Sequence, residues 1–384
     1  MSTTVQLQQL KATSPTLWTH MRLCGLRAAM AAAPAADQWV LHDPRLWLGT
    51  AFHEVMSAAR SSDAPIDALA VWDSAITRLV KTALEHPLDM RYAAPERWPS
   101  YFLVRQRCIS LASQVPPRSA SSKGTWDSSA THAAERGSER RLQAFGGLLV
   151  GRPDFYDGTT ITEYKSNLPD PAWPGAASIL DTFRRQMRLY AAIIGNATGR
   201  RPRNARIVAA SGQTMDIPIN PAECDAEAEA ALGALHALNA KLVAEVHPES
   251  IACSEPANCA GCPFKMICPA FWEKLLTGEM KGLQDAVILA ELLSLEDGPD
   301  GDLYTVGIRV MAASRDVFAE QQIVLRGSIH GKLPAAAVGQ RCRVVGSYAR
   351  ADQRPRADIS TLIAAVPGLP ALCRPVNAAA SKPE

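Results

Sequence analysis

Residues 151–167, GRPDFYDGTTITEYKSN, contain the most informative pattern in the sequence. The segments LLVGRPDFY and TTITEYKSN have the composition of two β-strands, and the Asp-Gly pair between them predicts a hairpin turn. Side chains two residues apart on a strand share a face, so Glu163 and Lys165 are expected to project together. The hairpin would bring Asp154 beside Glu163. The sequence therefore predicts two carboxylates and one ammonium on a small patch of sheet, with an ordinary surface salt bridge as the alternative.

Length and charge narrow the class of protein. The chain has 384 residues, which favours two or three domains over one small core. Its formal net charge of +2 does not by itself indicate a nucleic-acid partner, so any basic surface must be local. The beginning of the chain lacks the charged-then-apolar order of a signal peptide, and no apolar run approaches the length of a membrane span. These features predict a soluble cytoplasmic protein with no membrane partner.

Helical periodicity surrounds the hairpin. Several apolar-periodic segments precede it, and SILDTFRRQMRLYAAII follows it and places Gln186 and Tyr190 one turn apart. NARIVAAS and QTMDIPI predict two more strands, and a long helix leads into the cysteine-rich segment. Residues 116–138 are rich in Ser, Pro and Gly and predict a mobile loop. Residues 1–277 are therefore expected to form one α/β module.

The pattern of apolar and turn-forming residues changes after residue 277. Five short apolar segments separated by Gly, Pro and Asp predict a small all-β barrel over residues 278–365, such as an oligonucleotide-binding fold. Other small barrels fit the same pattern. Residues 366–384 predict a disordered tail.

The nine cysteines are unevenly distributed, and four of them lie between residues 253 and 268. Cys259, Cys262 and Cys268 have the spacing C-x2-C-x5-C. The third thiol stands too far from the others for the two close pairs typical of zinc, whereas a cubane iron–sulfur cluster accepts four thiolates at irregular spacing. An odd cysteine count without an export signal argues against disulfides. The fourth ligand could be the nearby Cys253 or the distant Cys24.

Together these motifs resemble a known family. The GRPD…EYK core, His53 in GTAFHEV, the QMRLY segment and the cysteine spacing resemble the PD-(D/E)XK nuclease superfamily, in particular its RecB-like iron–sulfur branch. That branch includes AddB-type nuclease domains and the CRISPR-adaptation nucleases. The resemblance covers roughly residues 14–272. It implies a restriction-endonuclease-like core, in which helices flank a mixed central sheet.

The resemblance also implies the site residues. Phosphodiester cleavage needs an activated water and a hard cation that neutralises charge on the phosphate. The expected Mg²⁺ or Mn²⁺ ligands are His53, Asp154, Glu163 and the main-chain carbonyl of Tyr164; an imidazole ligand suits Mn²⁺ better than Mg²⁺. Lys165 would orient the water and stabilise the transition state, and Gln186 and Tyr190 would position substrate. The expected ligands of a [4Fe-4S] cluster are Cys24, Cys259, Cys262 and Cys268, with Cys253 as an extra thiol.

The expected function is a metal-dependent DNA nuclease stabilised by an iron–sulfur cluster. It would act as an exonuclease on single strands or ends, in DNA repair, recombination or antiviral defence, beside a helicase or another partner. Two alternatives are a non-cleaving DNA-binding adaptor and a redox-sensing iron–sulfur protein on a nuclease fold. The remaining histidines are expected to be structural or exposed: His20, His42, His86, His132, His236, His247 and His330.

Overall fold

A computed structural model of the chain describes residues 4–86, 88–116, 137–138, 140–244, 247–283, 285–349, 355–369 and 371–373. Most of the stretch predicted to be a mobile loop lies outside these ranges. His132 and the last eleven residues, 374–384, lie outside them as well.

Helix starts in the described chain follow local sequence signals. Ser14, Asp43 and Asn220 each accept a hydrogen bond from a backbone N–H in the first turn that follows, and a proline stands next to each of them. None of the described helices combines the length and the apolar composition needed to cross a membrane. The helices are α1 (Pro15–Leu23), α2 (Gly25–Ala32), α3 (Pro44–Ser61), α4 (Ala68–Glu85), α5 (Tyr101–Ala112), α6 (Ala176–Thr198), α7 (Pro221–Val243), α8 (Pro256–Ala260), α9 (Pro269–Leu276) and α10 (Gly327–His330).

The central sheet has the strand order β2-β5-β6-β7-β8. β6 and β7 run parallel, with Glu163 opposite Ile207, and the other neighbours in this sheet are antiparallel. The sheet is therefore mixed. The strands up to this point of the chain are β1 (Thr4–Gln6), β2 (Gly137–Ser138), β3 (Leu142–Ala144), β4 (Leu149–Gly151), β5 (Phe155–Tyr156), β6 (Thr160–Lys165), β7 (Asn204–Ala209) and β8 (Thr214–Pro218).

Helices cover both faces of this sheet. Ile161 of β6 lies in an apolar core with residues of α6 and α7, whereas Tyr164 lies in a second core with residues of α3, α4 and α5. Odd and even positions of the strand thus face different helices, as the period of two requires. A mixed sheet flanked by helices confirms the predicted α/β class and is consistent with a restriction-endonuclease-like core.

The single strand predicted over LLVGRPDFY is instead two strands. β4 pairs with β3, and β5 pairs with β6. Pro153 lies between them, and proline cannot donate to a strand ladder. A Cβ at Gly151 would lie 3.0 Å from Ile193 Cδ1, so only glycine lets β4 approach α6 this closely. Asp154 consequently stands immediately before β5, beside the hairpin rather than within a strand.

The C-terminal strands form a separate antiparallel sheet. Its order is β11-β10-β9-β12-β13, and β14 also pairs with β12. β13 lies near β11, but the two do not pair within the described residues, so this sheet is open and the predicted barrel is not confirmed. Its strands are β9 (Ala286–Asp297), β10 (Leu303–Ala313), β11 (Glu320–Arg326), β12 (Arg341–Ala349), β13 (Pro355–Arg356) and β14 (Leu362–Ala365).

This second sheet packs against the cysteine-rich segment. Met266 and Phe271 share an apolar core with Val345 of β12. The Arg343 guanidinium donates a hydrogen bond to the carbonyl of Met266 at 2.6 Å and lies 4.9 Å above the ring of Trp272. The two parts of the chain therefore share a core instead of being joined only by a linker.

Part of the stretch predicted to be a disordered tail is ordered. Residues 371–373 form β15 (Ala371–Cys373), which pairs in parallel with β1. Local composition did not reveal this strand because its partner lies at the opposite end of the chain.

Candidate active site

The β5–β6 hairpin and two helices bring most of the predicted catalytic residues into one region. Asp154 stands before β5, and Glu163, Tyr164 and Lys165 end β6. His53 is on α3, on one side of the sheet, and Gln186 is on α6, on the other. The contacts that follow divide these residues into two groups, one around each carboxylate.

Asp154 is held by groups from both neighbouring elements. Its Oδ1 lies 2.9 Å from His53 Nδ1, and its Oδ2 accepts a hydrogen bond from the backbone N–H of Tyr164 at 2.6 Å. Burial alone would lower the pKa of His53, but the hydrogen bond to Asp154 and the charges of Asp154 and Glu163 raise it overall. The imidazole is thus fixed against a carboxylate at the edge of the site.

Glu163 lies at the centre of a second group. Its Oε1 accepts hydrogen bonds from Lys165 Nζ at 2.9 Å and from Gln186 Nε2 at 2.8 Å. Lys165 also donates to Gln186 Oε1 at 3.1 Å, which closes a triangle of three side chains. The contact between Glu163 and Lys165 shows that the two side chains share a face of β6, as their spacing predicted.

The environment of Glu163 disfavours its charge. Its side chain is 4% exposed, against 20% for Lys165. Burial raises the pKa of the Glu163 carboxyl, Lys165 opposes that shift, and Asp154 adds to it. Its second oxygen, Oε2, is buried and has no hydrogen-bond partner among the described residues. A buried carboxylate oxygen without a donor is costly, and a bound cation is one group that would stabilise it.

The hydroxyl groups of Tyr164 and Tyr190 form hydrogen bonds with protein groups next to the site. The Tyr164 hydroxyl accepts a hydrogen bond from Arg60 Nε at 2.5 Å, on the side of the sheet that α3 covers. The Tyr190 hydroxyl donates to the carbonyl of Arg152 at 3.2 Å. Burial and the nearby carboxylates raise the pKa of Tyr190, so it remains a neutral donor. Gln186 thus belongs to the Glu163 group, and Tyr190, which contacts Gln186, connects that group to the GRPD turn.

The predicted metal ligands are neighbours that do not converge on one point. No three ligand atoms of His53, Asp154 and Glu163 lie within 4.8 Å of one another in the described chain. Asp154 is engaged by His53 and a backbone amide, whereas Glu163 is engaged by Lys165 and Gln186. The donor chemistry nevertheless suits a divalent cation, because it offers two carboxylates, an imidazole and the unpartnered Glu163 Oε2.

The cysteine-rich segment meets α2 around a small cavity. The lining includes the thiols of Cys24, Cys253, Cys259, Cys262 and Cys268. Cys24 precedes α2, whereas the other four lie more than 200 positions later in the chain. Long-range folding therefore brings both candidates for the fourth cluster ligand to the same cavity.

Cys24 and Cys253 are in direct contact. The backbone N–H of Cys253 donates to Cys24 Sγ at 3.3 Å, and Asn258 Nδ2 donates to Cys253 Sγ at 3.1 Å. No three of the described thiol sulfurs lie within 4.8 Å of one another. A single tetrahedral zinc with bonds of about 2.3 Å would hold its sulfurs within roughly 4 Å, so the thiols as placed do not outline such a site.

Burial keeps three of the five cavity thiols neutral, those of Cys259, Cys262 and Cys268. It raises the pKa of Cys259 and of Cys268 to about 12. It also raises the pKa of Cys262, and neighbouring thiols add to the shift at all three positions. Thiolates here would consequently depend on a metal to stabilise their charge.

A histidine–aspartate cluster was missed by sequence analysis. His42, His86 and Asp89 place three potential ligand atoms within 4.8 Å of one another. His86 and Asp89 are three positions apart, which is a weak local signal, and His42 is remote in sequence. We expected His42 and His86 to be structural or exposed, and the sequence did not predict that they meet at one carboxylate.

Comparison with family models and curated proteins gave two results. The model of the PD-(D/E)XK nuclease superfamily matches residues 9–269. This range includes every residue predicted for the active site and for the cluster, and it ends before the C-terminal sheet. No curated protein matches the chain. The iron–sulfur branch of the superfamily stays a prediction.

Proposed function

Because the chain belongs to the PD-(D/E)XK nuclease superfamily, we propose that it is a metal-dependent deoxyribonuclease that acts on single strands or ends. One observation carries the proposal. Two carboxylates, Asp154 and Glu163, stand on adjacent parts of the β5–β6 hairpin, and Lys165 contacts Glu163 from the same face. An adaptor that only binds DNA would have no need for a buried Glu163 paired with a lysine, which costs desolvation energy.

Asp154, Glu163 and His53 are the residues that would hold Mg²⁺ or Mn²⁺, together with the carbonyl of Tyr164. When bound, the cation supplies an activated water and neutralises charge on the phosphate. The unpartnered Glu163 Oε2 and the imidazole beside Asp154 support this assignment. The imidazole favours Mn²⁺ over Mg²⁺.

The chain's own residues account for the rest of the chemistry. The Lys165 ammonium stabilises negative charge that develops on the phosphate, an effect that is largest in a site shielded from water. Gln186 fixes the position of Lys165 and Glu163 through hydrogen bonds to both. His53 orients Asp154, and the backbone N–H of Tyr164 holds the second oxygen of that carboxylate.

A cleavage assay with matched aspartate variants tests this function. End-labelled single- and double-stranded DNA is incubated with the protein in Mn²⁺ or in EDTA. Asp154→Asn should lower the cleavage rate at least about 100-fold, because the substitution removes one carboxylate charge without changing the size of the side chain. Asp157→Asn is the control: Asp157 lies in the hairpin turn and is exposed.

The outcomes separate the alternatives. Mn²⁺-dependent cleavage that Asp154→Asn removes and Asp157→Asn keeps supports the nuclease. DNA binding without cleavage under any metal supports the adaptor. Activity that follows the redox potential and ignores Mn²⁺ supports the redox sensor.

We also propose a [4Fe-4S] cluster held by Cys24, Cys259, Cys262 and Cys268. Support comes from the cavity that these thiols line and from their buried, apolar surroundings. Each thiolate of a cubane binds a different iron, so the sulfurs lie farther apart than around one zinc ion. The N–H that Cys253 donates to Cys24 Sγ is the kind of contact that tunes a cluster thiolate and favours Cys24 as the ligand.

Serine variants of the two adjacent cysteines test the ligand set. Cys24→Ser should lose iron and resistance to proteases, because the cluster would no longer join α2 to the end of the nuclease module. Cys253→Ser should retain both. Iron content after anaerobic purification and limited proteolysis are the measurements. Stoichiometric zinc without iron in the wild type would refute the cluster, and the reverse behaviour of the two variants would make Cys253 the fourth ligand.

The domain division is a further part of the proposal. We assign catalysis to residues 1–277 and substrate binding to residues 278–365, whose strands would curl into a small nucleic-acid-binding barrel. The proximity of β13 to β11 supports such curvature. A separate helicase is the partner class we favour, because nuclease domains of the branch that the motifs resemble often work beside one.

A further inference from the structure

Three side chains meet between two helices, and none of them belongs to the proposed active site: His42, His86 and Asp89. His42 precedes α3, whereas His86 caps the end of α4 and Asp89 follows it. The Asp89 side chain is completely buried. Its Oδ2 lies 2.5 Å from His42 Nδ1 and 2.8 Å from His86 Nδ1. One buried carboxylate oxygen thus faces two imidazole nitrogens.

The hydrogen bonding leaves two buried atoms of this cluster incompletely satisfied. His86 Nε2 lies 2.9 Å from the carbonyl oxygen of Asp37 and must carry a hydrogen to bond to it. In a neutral imidazole, Nδ1 then presents a lone pair to Asp89. At 2.8 Å from Asp89 Oδ2, His86 Nδ1 can form a hydrogen bond only if it carries a proton, whereas Asp89 Oδ1 is buried and has no hydrogen-bond partner among the described residues. Such atoms are costly unless a proton or a cation satisfies them.

The three potential ligand atoms indicate which class of cation the cluster would bind. Two imidazole nitrogens and one carboxylate oxygen within 4.8 Å of one another are typical of Zn²⁺ and similar transition metals, whereas Mg²⁺ and Ca²⁺ prefer oxygen ligands. The bond from His86 Nε2 to a backbone carbonyl is the outer contact that commonly orients a metal-binding histidine. His42, whose side chain is 27% exposed, also lines an open cavity of about 490 Å³, so one side of the cluster faces solvent.

We propose that His42, His86 and Asp89 form a second metal site, which binds a zinc-type dication between the start of α3 and the end of α4. The ion links two helix ends that the 2.5 Å contact between His42 Nδ1 and Asp89 Oδ2 already brings together. Because α3 carries His53, the site braces the helix that supports the active site. It is separate from the cysteine cavity and from the hairpin carboxylates.

Equilibrium dialysis of the full-length protein tests the site. Chelator-treated wild type, His42→Gln and His236→Gln are dialysed against micromolar Zn²⁺ in excess Mg²⁺, which occupies the hairpin carboxylates. His236 is exposed on α7 and serves as the matched control. Wild type and His236→Gln should bind one equivalent of zinc more than His42→Gln. Equal binding by all three proteins would overturn the proposal and leave the cluster as a protonated histidine–aspartate pair.

Cobalt distinguishes this site from the thiols. The difference spectrum between Co²⁺-loaded wild type and His42→Gln should contain visible ligand-field bands and lack the near-ultraviolet bands of cobalt–thiolate bonds. Thiolate bands in the difference spectrum would overturn the assignment.

Anomalous diffraction needs no variant. Wild-type crystals grown with zinc should show a peak about 2.1 Å from the His42, His86 and Asp89 ligand atoms. No peak there in zinc-soaked crystals would also overturn the site.

Discussion

Replacing Lys165 with methionine should destabilise the metal-free protein as well as stop cleavage. Lys165 Nζ lies 2.9 Å from Glu163 Oε1, and the Glu163 side chain is only 4% exposed. Methionine keeps most of the apolar stem of lysine and removes the ammonium. The variant therefore leaves a buried carboxylate without its only cationic hydrogen-bond partner in the described chain.

The magnitude follows from the burial of the pair. Removing one partner of a buried ion pair costs about 3–5 kcal/mol. Gln186 still donates to Glu163 at 2.8 Å, and Lys165 is partly exposed, so we expect the lower end, about 3 kcal/mol. That is a large share of a typical unfolding free energy of roughly 5–15 kcal/mol. Cleavage in Mn²⁺ should fall at least about 100-fold.

Urea unfolding in EDTA measures the first effect, and a double variant identifies its cause. Glu163→Gln removes the charge that Lys165→Met leaves unpaired. The double variant should thus recover most of the lost stability, to within about 1 kcal/mol of wild type, while remaining inactive. Lys281→Met is the control. Its partner Asp316 is 84% exposed, so the loss there should stay below about 1 kcal/mol.

Two results would refute this reasoning. Lys165→Met as stable as wild type would mean that the pair contributes nothing to the fold. A double variant as unstable as the single one would mean that packing, rather than an unpaired charge, explains the loss.

Three further predictions concern the scaffold. Burial lowers the pKa of His20 from 6.5 to about 4, so between those values the unfolded chain takes up a proton that the native state refuses. The free energy of unfolding should therefore fall on the order of 2–3 kcal/mol as pH drops from 6.5 to 4, and urea unfolding of His20→Gln should lack that component. Gly151→Ala should lower the melting temperature and reduce the free energy of unfolding by about 1–3 kcal/mol, because its Cβ would lie 3.1 Å from a Tyr190 ring carbon. The control is Gly233→Ala. Its Cβ would meet open space on α7, so this variant should be more stable than wild type by roughly 0.5–1 kcal/mol. Ending the chain at residue 277 should make the remainder protease-sensitive, because Arg343 and its sheet cover the cysteine-rich segment; a resistant fragment would contradict the shared core.

Local patterns made the hairpin and its chemistry predictable. An Asp-Gly turn and the period of two place Glu163 and Lys165 on one face without reference to the rest of the fold. Helix starts were equally readable, since a cap and a proline act within one turn. The same local reasoning failed at Pro153, where β4 leaves the hairpin to pair with β3.

Sequence spacing left the partners of each side chain open. The cysteine pattern admitted Cys24 or Cys253, and folding brings both to one cavity. The pairing of β15 with β1 joins segments at opposite ends of the chain, which composition cannot connect. The open C-terminal sheet shows the same limit, because strand number alone does not decide whether a sheet closes.

Motifs whose members lie within a few residues of one another, or in a fixed order along the chain, were enough to predict the superfamily, the α/β class and the candidate catalytic residues. Tertiary structure alone decided which groups touch. In the folded chain Asp154 contacts His53, and Glu163 contacts Lys165 and Gln186. Folding also brings together the residues of the His42–His86–Asp89 cluster. Local backbone geometry fixes which side chains are neighbours along a strand or helix, whereas contacts between helices depend on how the whole core packs.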